Sequence, residues 1–180
     1  AYLIEEFGAN GPKVRLLGSG PILKYVREAA TDLLRDYGIR SEVWSVTSYG
    51  ELRRIGLEHE RTKRLDPGHS GRPYVSECFG DATPTVATSD YISSVPEMIQ
   101  RWVGGRYIVL GTDGFGRSDS RDALRTFFEI DTSSIVVAAL SALEQDGALP
   151  HGTVEKEMKT RDVTTSLTIF FENSSSLTFE

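Results

Sequence analysis

The sequence predicts an α/β domain whose sheet is built mainly from parallel strands. Short apolar runs ending at glycine, serine or threonine alternate with longer stretches in which apolar residues recur at i, i+3, i+4 and i+7. The chain opens in the order strand–helix–strand–helix, the order that parallel pairing with crossover connections requires. Its 180 residues fit one domain, long enough to bury roughly 70% of its unfolded surface without a metal or disulfide staple.

Taken in order, residues 1–12 read as a linker from an upstream region. Lys13–Leu17 is a short apolar run feeding Gly18-Ser19-Gly20, hence a strand and a turn. Pro21 suits the first helical turn, and Ile22, Leu23, Val26, Ala29, Ala30, Leu33, Leu34 and Tyr37 form the apolar stripe of a helix stopped by Gly38. Glu42–Val46 is a second strand, after which Ser48 is positioned to cap a helix carrying Leu52, Ile55 and Leu57. Prolines and glycines break residues 64–84 into loops around one short helix, Tyr74–Phe79. A strand at Thr85–Thr88 precedes a helix over Val95–Val103, with Val95, Met98, Ile99 and Trp102 on one face. The strand Tyr107–Leu110 then enters a glycine-rich loop. Helices follow near Ser120–Phe128 and Thr132–Gln145, the second capped by Asp131 or Thr132 and apolar enough to imply deep burial. The main domain therefore runs from 13 to 150. Residues 151–180 form a tail in which a short charged helix, His151–Arg161, leads to β-like Ser166–Phe171 and linker-like Asn173–Ser176.

Composition narrows the function without naming it. With 20 Lys+Arg against 26 Asp+Glu the net charge is −6 and the pI about 5.2, which offers no basic field to nucleic acid. No run of about 20 apolar residues spans a membrane, and the first residues lack the basic and apolar regions of a signal peptide. Cys78 is the single cysteine, which excludes a disulfide framework and a cysteine-based zinc site and is compatible with a reducing, cytoplasmic setting.

The candidate sites separate on chemistry. Gly18-Ser19-Gly20 sits between strand and helix, where a dinucleotide fingerprint would lie, but Leu23 replaces its third small residue and the second strand ends in Thr47-Ser48 without an acid for a ribose. A tight turn outweighs anion binding there. His59, His69 and His151 show no metal-ligand spacing, and Asp66, His69 and Ser70 make a triad only on paper, with no strand-to-helix elbow to hold it. Cys78 reads as apolar filler, and Asn173-Ser174-Ser175 as a chance glycosylation match. The richest stretch is Gly111–Arg121, the loop after a strand end. Phe115 is flanked by glycines and free to project, Ser118 or Asp119 can cap the next helix, and Arg117 and Arg121 can pair with Asp113, Asp119 or a neighbouring chain. Thr112, Asp113, Phe115, Arg117, Ser118, Asp119 and Arg121 are the candidate interface residues, whether the loop is a rigid aromatic plug or a surface that locks onto another domain.

Four motifs in this order, Val14–Gly20, Val43–Ser48, Leu110–Arg121 and Val136–Leu140, resemble the C-terminal, transketolase-like domain of homodimeric decarboxylating subunits of pyruvate dehydrogenase complexes. The resemblance covers about residues 10–150. It implies a three-layer α/β/α sandwich with a five-stranded mixed sheet, mainly parallel, in which one strand is antiparallel. It also implies a full-length enzyme that uses thiamine diphosphate and magnesium to decarboxylate pyruvate and pass the acetyl group to a lipoyl arm. In that family the cofactor lies between the other two domains of opposing subunits, and this domain buttresses the homodimer and its neighbouring domain. The Gly-Asp-Gly and following Asn, roughly 25–30 residues on, that hold the diphosphate-bound magnesium have no counterpart here beyond Thr112-Asp113-Gly114. No catalytic, cofactor-binding or metal residue is therefore assigned to this chain, which is expected to be inactive alone. Its expected partners are the remaining domains, the second subunit and the acetyltransferase core. The rival reading is a freestanding nucleotide- or anion-binding protein using the Gly18–Gly20 and Gly111–Gly116 loops.

Overall fold

The computed structural model describes residues 1–161. Five strands, β1 (Tyr2–Phe7), β2 (Lys13–Gly18), β3 (Arg40–Ser45), β4 (Thr85–Thr88) and β5 (Tyr107–Leu110), form one sheet in the order β1-β3-β2-β4-β5. β3, β2, β4 and β5 are parallel, with Gly18 opposite both Ser45 and Thr88, and Thr88 opposite Leu110. β1 pairs antiparallel with β3, Tyr2 opposite Ser45 and Phe7 opposite Ser41. The expected linker thus contains the edge strand that makes the sheet mixed. Its side chains are mostly exposed, so the alternation that marks a half-buried strand is missing from its sequence.

Period-two alternation divides the sheet into two faces. Val14 and Leu16 of β2, Val43 of β3 and Val86 of β4 are fully buried against α1 (Leu23–Tyr37) and α6 (Thr132–Gln145). Leu17 and Ala87 point the other way, into a cluster with Tyr49 and Leu52 of α2 (Tyr49–Leu65), Val75 and Phe79 of α3 (Tyr74–Phe79), Ile99 and Trp102. Three layers result.

Local chemistry sets the helix boundaries. Ser48 Oγ accepts from Glu51 N–H at 3.1 Å to start α2, and Asp131 Oδ1 accepts from Ser134 N–H at 2.9 Å to start α6. The helix expected over Val95–Val103 divides into α4 (Ser94–Glu97) and a 3₁₀ turn, Gln100–Trp102. In a 3₁₀ turn residues three apart eclipse, so Ile99 and Trp102 share a buried face while Met98 is left exposed. Arg121–Gln145 is long and apolar enough by composition to suggest a membrane span. Glu129, at φ 54°, breaks it into α5 (Arg121–Phe127) and α6, and α6 is a core helix.

After α6, α7 (Thr153–Arg161) docks through Glu157, which accepts from Tyr37 Oη and from Arg161, and through Arg161 on Asp32. Ser166–Phe171 and Asn173–Ser176 lie outside the described residues.

Candidate interface at the carboxyl edge of the sheet

Open α/β sheets place ligands beyond the carboxyl ends of their strands, at the point where neighbouring connections diverge. Here that point lies between β2, which leads to β3 on one side, and β4, which leads to β5 on the other. It is closed: Ser19 and Ser89, both buried, share a hydrogen bond of 2.9 Å between their hydroxyls, and Ser89 Oγ also accepts from Tyr91 N–H at 3.2 Å. The Gly18–Gly20 segment is a tight turn. A Cβ on Gly18 would stand 3.1 Å from Leu23 Cα, so the glycine lets α1 approach β2 closely, and Gly20 takes φ 53°.

The accessible part of this edge is the loop after β5. Gly111 is wedged against the loop after β4, where a Cβ would come 2.5 Å from Ser93 N. Three hydrogen bonds then tie the two loops. Thr112 N–H donates to Tyr91 O at 2.9 Å, Thr112 Oγ1 donates to Asp90 O at 3.0 Å, and Ser93 N–H donates to Asp113 Oδ1 at 3.0 Å. Beyond this anchor Phe115 is 94% exposed. A large apolar side chain held out on a pinned loop loses little entropy when it is covered, which suits it to docking.

The remaining expected residues take other roles. Arg117 places its guanidinium 4.1 Å from the ring centre of Phe127, a cation–π contact, and Asp113 is engaged by a backbone N–H; neither makes the Arg–Asp pair that the sequence offered. Ser118 and Asp119 do not cap α5. Ser120 does, its Oγ accepting from Ala123 N–H at 3.3 Å, while Asp119 Oδ1 accepts from Ser120 N–H at 2.6 Å. Arg121 makes no ion pair among the described residues.

Two residues of the rim escape a sequence reading. Tyr91 and Ile92, 61% and 52% exposed, project from the loop to which Thr112 is bonded. The available signal was two adjacent large apolar residues in an otherwise polar strand-end loop, Ser89–Ser94.

Elsewhere the paper constellations do not assemble. Asp66 Oδ1 accepts from Gly68 N–H at 3.1 Å in a local turn. His59 and His69 meet edge to face with ring centres 5.3 Å apart, while His151 Nδ1 lies 2.8 Å from Glu144 Oε1. Among the described residues no group of three or more His, Cys, Asp and Glu could hold a metal ion. Thiamine diphosphate with its magnesium does not fit these residues. Asp113 already accepts a backbone hydrogen bond, and the stretch where the Asn ligand would fall, Ala138–Leu143, belongs to the core helix α6.

Comparison with known proteins agrees with this fold. The family model of the transketolase-like TK C-terminal domain matches residues 1–131. Over 150 residues the chain is 51% identical to the pyruvate dehydrogenase E1 component of Pseudomonas aeruginosa, and 49% identical to that of Escherichia coli K12. These alignments cover 81% and 82% of this chain and 17% of each relative, so the chain spans about a sixth of their length. Transketolase from Leishmania mexicana shares the fold with a TM-score of 0.52 at 17% identity, over 83% of this chain and 19% of that one. A split-gene transketolase described as an inactive β4 tetramer does so with a TM-score of 0.50 at 18% identity, over 78% of this chain and 42% of that one.

Proposed function

The chain belongs to the transketolase-like TK C-terminal domain family, and from that membership we propose that it is the C-terminal domain of a pyruvate dehydrogenase E1 component. In this reading it stabilises the homodimer and the adjoining domain and contributes no catalytic residue. Thiamine diphosphate and magnesium belong to the rest of the enzyme. One observation carries the docking role: Phe115 stands almost wholly in solvent on a loop whose base is fixed by three hydrogen bonds. Such rigidity is not needed to solvate a phenyl ring, but it lowers the entropic cost of burying one. Tyr91 and Ile92 extend the same apolar rim.

What thiamine chemistry demands also supports the scaffold role. Stabilising its transition states takes a cofactor, its metal and a base held in one preorganised site. The residues at this edge are instead engaged with one another, hydroxyl to hydroxyl at Ser19–Ser89 and carboxylate to amide at Asp113–Ser93. The partners in this reading are the other domains of the same enzyme and its second subunit.

The test is direct. The purified chain is supplied with pyruvate, thiamine diphosphate and magnesium, and carbon dioxide release is followed. No turnover is expected, and sustained release would overturn the reading. Adding the preceding domains of an E1 component as a separate chain should yield a complex; failure of the two to associate would count equally against it.

A further inference from the structure

Beside the closed switch point, the carboxyl edge of the sheet holds a cavity of about 380 Å³ that the scaffold role does not use. The loops after β4 and β5 supply Asp90 and Thr112 to its lining, α5 supplies Arg121 and Arg125, one helical turn apart, and Leu124 of α5 and Phe128 just beyond it form an apolar wall.

Its charge balance is unusual for a chain of net charge −6. The Arg125 side chain is only 11% exposed, with its guanidinium 4.4 Å over the Tyr25 ring and one N–H donated to Tyr25 Oη. Its nearest carboxylate, Asp122, is 3.9 Å away, is 90% exposed and accepts the Tyr25 hydroxyl at 2.9 Å. A guanidinium carries five N–H donors in a fixed fork, and among the described residues Arg125 hydrogen-bonds through one of them, to Tyr25. Arg121 adds a second cation with no ion pair among the described residues. Two arginines lining one cavity match an oxyanion that accepts two parallel hydrogen bonds. Asp90 and Thr112 differ in kind. Asp90 brings a carboxylate, and Thr112, whose hydroxyl proton is spent on Asp90 O, offers lone pairs, so both can accept from a ligand.

The geometry points to a binding site for a small organic oxyanion, a carboxylate or a phosphate ester, that carries a hydroxyl or amino donor on its other end. Arg121 and Arg125 take the oxyanion, Leu124 and Phe128 cover the carbon chain, and Asp90 takes the donor. Phe115 lines no part of the cavity, whereas Thr112 serves both features, lining the cavity and anchoring the Phe115 loop.

The test titrates the 180-residue chain at fixed ionic strength with acetate, 3-hydroxybutanoate and glycerol 3-phosphate, following backbone amide resonances. The hydroxylated probes should saturate and move the amides of Asp90, Thr112 and α5, and one of them should bind at least tenfold more tightly than acetate. The tighter of the two identifies the head group as carboxylate or phosphate. Arg121→Gln, an exposed change that spares the core, should weaken that binding at least tenfold, and Arg125→Lys, which keeps the charge and loses the fork, should also weaken it. Asp90→Asn should remove the advantage over acetate, whereas Phe115→Ala should leave binding unchanged. Absence of saturation, binding indifferent to Arg121→Gln, or shifts scattered over unrelated basic residues would each overturn the site.

Discussion

Truncating Phe115 to alanine separates folding from docking. With 94% of its surface in solvent, the side chain contributes little to the isolated fold, and a change at such a position moves stability by about 0.5 kcal/mol or less. Docked, it would remove about 150 Å² of apolar surface from water, worth about 4 kcal/mol at 25 cal/mol per Å². Ordering the ring and its contacts consumes part of that, leaving about 2–3 kcal/mol. At 1.4 kcal/mol per decade this is a loss of about 30- to 150-fold in association. Sedimentation of wild type and variant, alone and with the preceding domains of an E1 component supplied as a second chain, measures the association. Urea unfolding of the same samples measures the fold. A variant that loses as much folding stability as association free energy would refute the reasoning, as would one that associates like wild type. Asp113→Ala is the companion test. It leaves Phe115 in place but removes the acceptor for Ser93 N–H, so association should fall because the loop must be ordered on docking.

Three further outcomes test the physics of the fold. Gly56→Ala in α2 should destabilise by up to about 2 kcal/mol in urea unfolding, because overpacking of about 1–3 kcal/mol offsets the gain of about 1 kcal/mol in helix propensity; the new Cβ would sit 2.5–2.7 Å from carbons of the buried Trp102 indole, whose N–H is fixed on Glu60 at 2.9 Å. Thr88→Val should be neutral or stabilising by about 1 kcal/mol in the same assay, since the Thr88 hydroxyl is buried without a partner among the described residues and valine has its shape. The third concerns acid. Burial acts to raise the Glu42 carboxyl, but Lys13, Arg15 and Trp44 more than offset it and hold Glu42 below 4.5, while Asp81 is likewise lowered, its burial outweighed by Arg15 and Thr83. Depressed acids stabilise fully above their unfolded values and lose that contribution as pH falls through the folded ones, so thermal stability should drop below about pH 4.5. Glu42→Gln should flatten this slope and cost about 1.5–3 kcal/mol at neutral pH, because Arg15, 2% exposed, loses a charged acceptor while keeping Asp81.

The legible parts of this chain were those where local chemistry and burial agree. β4 and β5 run over the residues their apolar runs mark, and Ser48 and Asp131 cap the helices they precede. β1 was not legible, because an edge strand paired on one side and largely exposed has no apolar alternation, and only the neighbouring β3 reveals it. The division of Val95–Val103 was hidden for a related reason: spacings of three and four fit an α-helix and a 3₁₀ turn alike over so short a span, and docking of Ile99 and Trp102 decides between them. At the site, the exposure of Phe115 follows from its two glycine neighbours, whereas the partners of Asp113 and Arg117 do not. Asp113 bonds a residue twenty positions away, and Arg117 faces a ring on the next helix, both contacts of the folded edge.

Closure of the switch point fills the crevice between β2 and β4, the place where open α/β sheets bind ligands. A crevice between β2 and β4 needs loops that part and leave backbone donors free for a ligand. Here the first side chain beyond each strand, Ser19 and Ser89, meets the other across the gap, and Ser89 also holds Tyr91 N–H. The β4 loop also meets the loop after β5, where Gly111 permits backbone contact and Thr112 and Asp113 lock the two loops together. Ser19, Ser89 and Asp113 are engaged in building this shelf, and the large apolar side chains exposed on it are Tyr91, Ile92 and Phe115. If this reasoning holds, Ser19→Ala should loosen the β4 loop and lower association through Phe115 without touching that residue. Unchanged association together with unchanged amide exchange at Tyr91 would show that the serine pair does not organise the shelf.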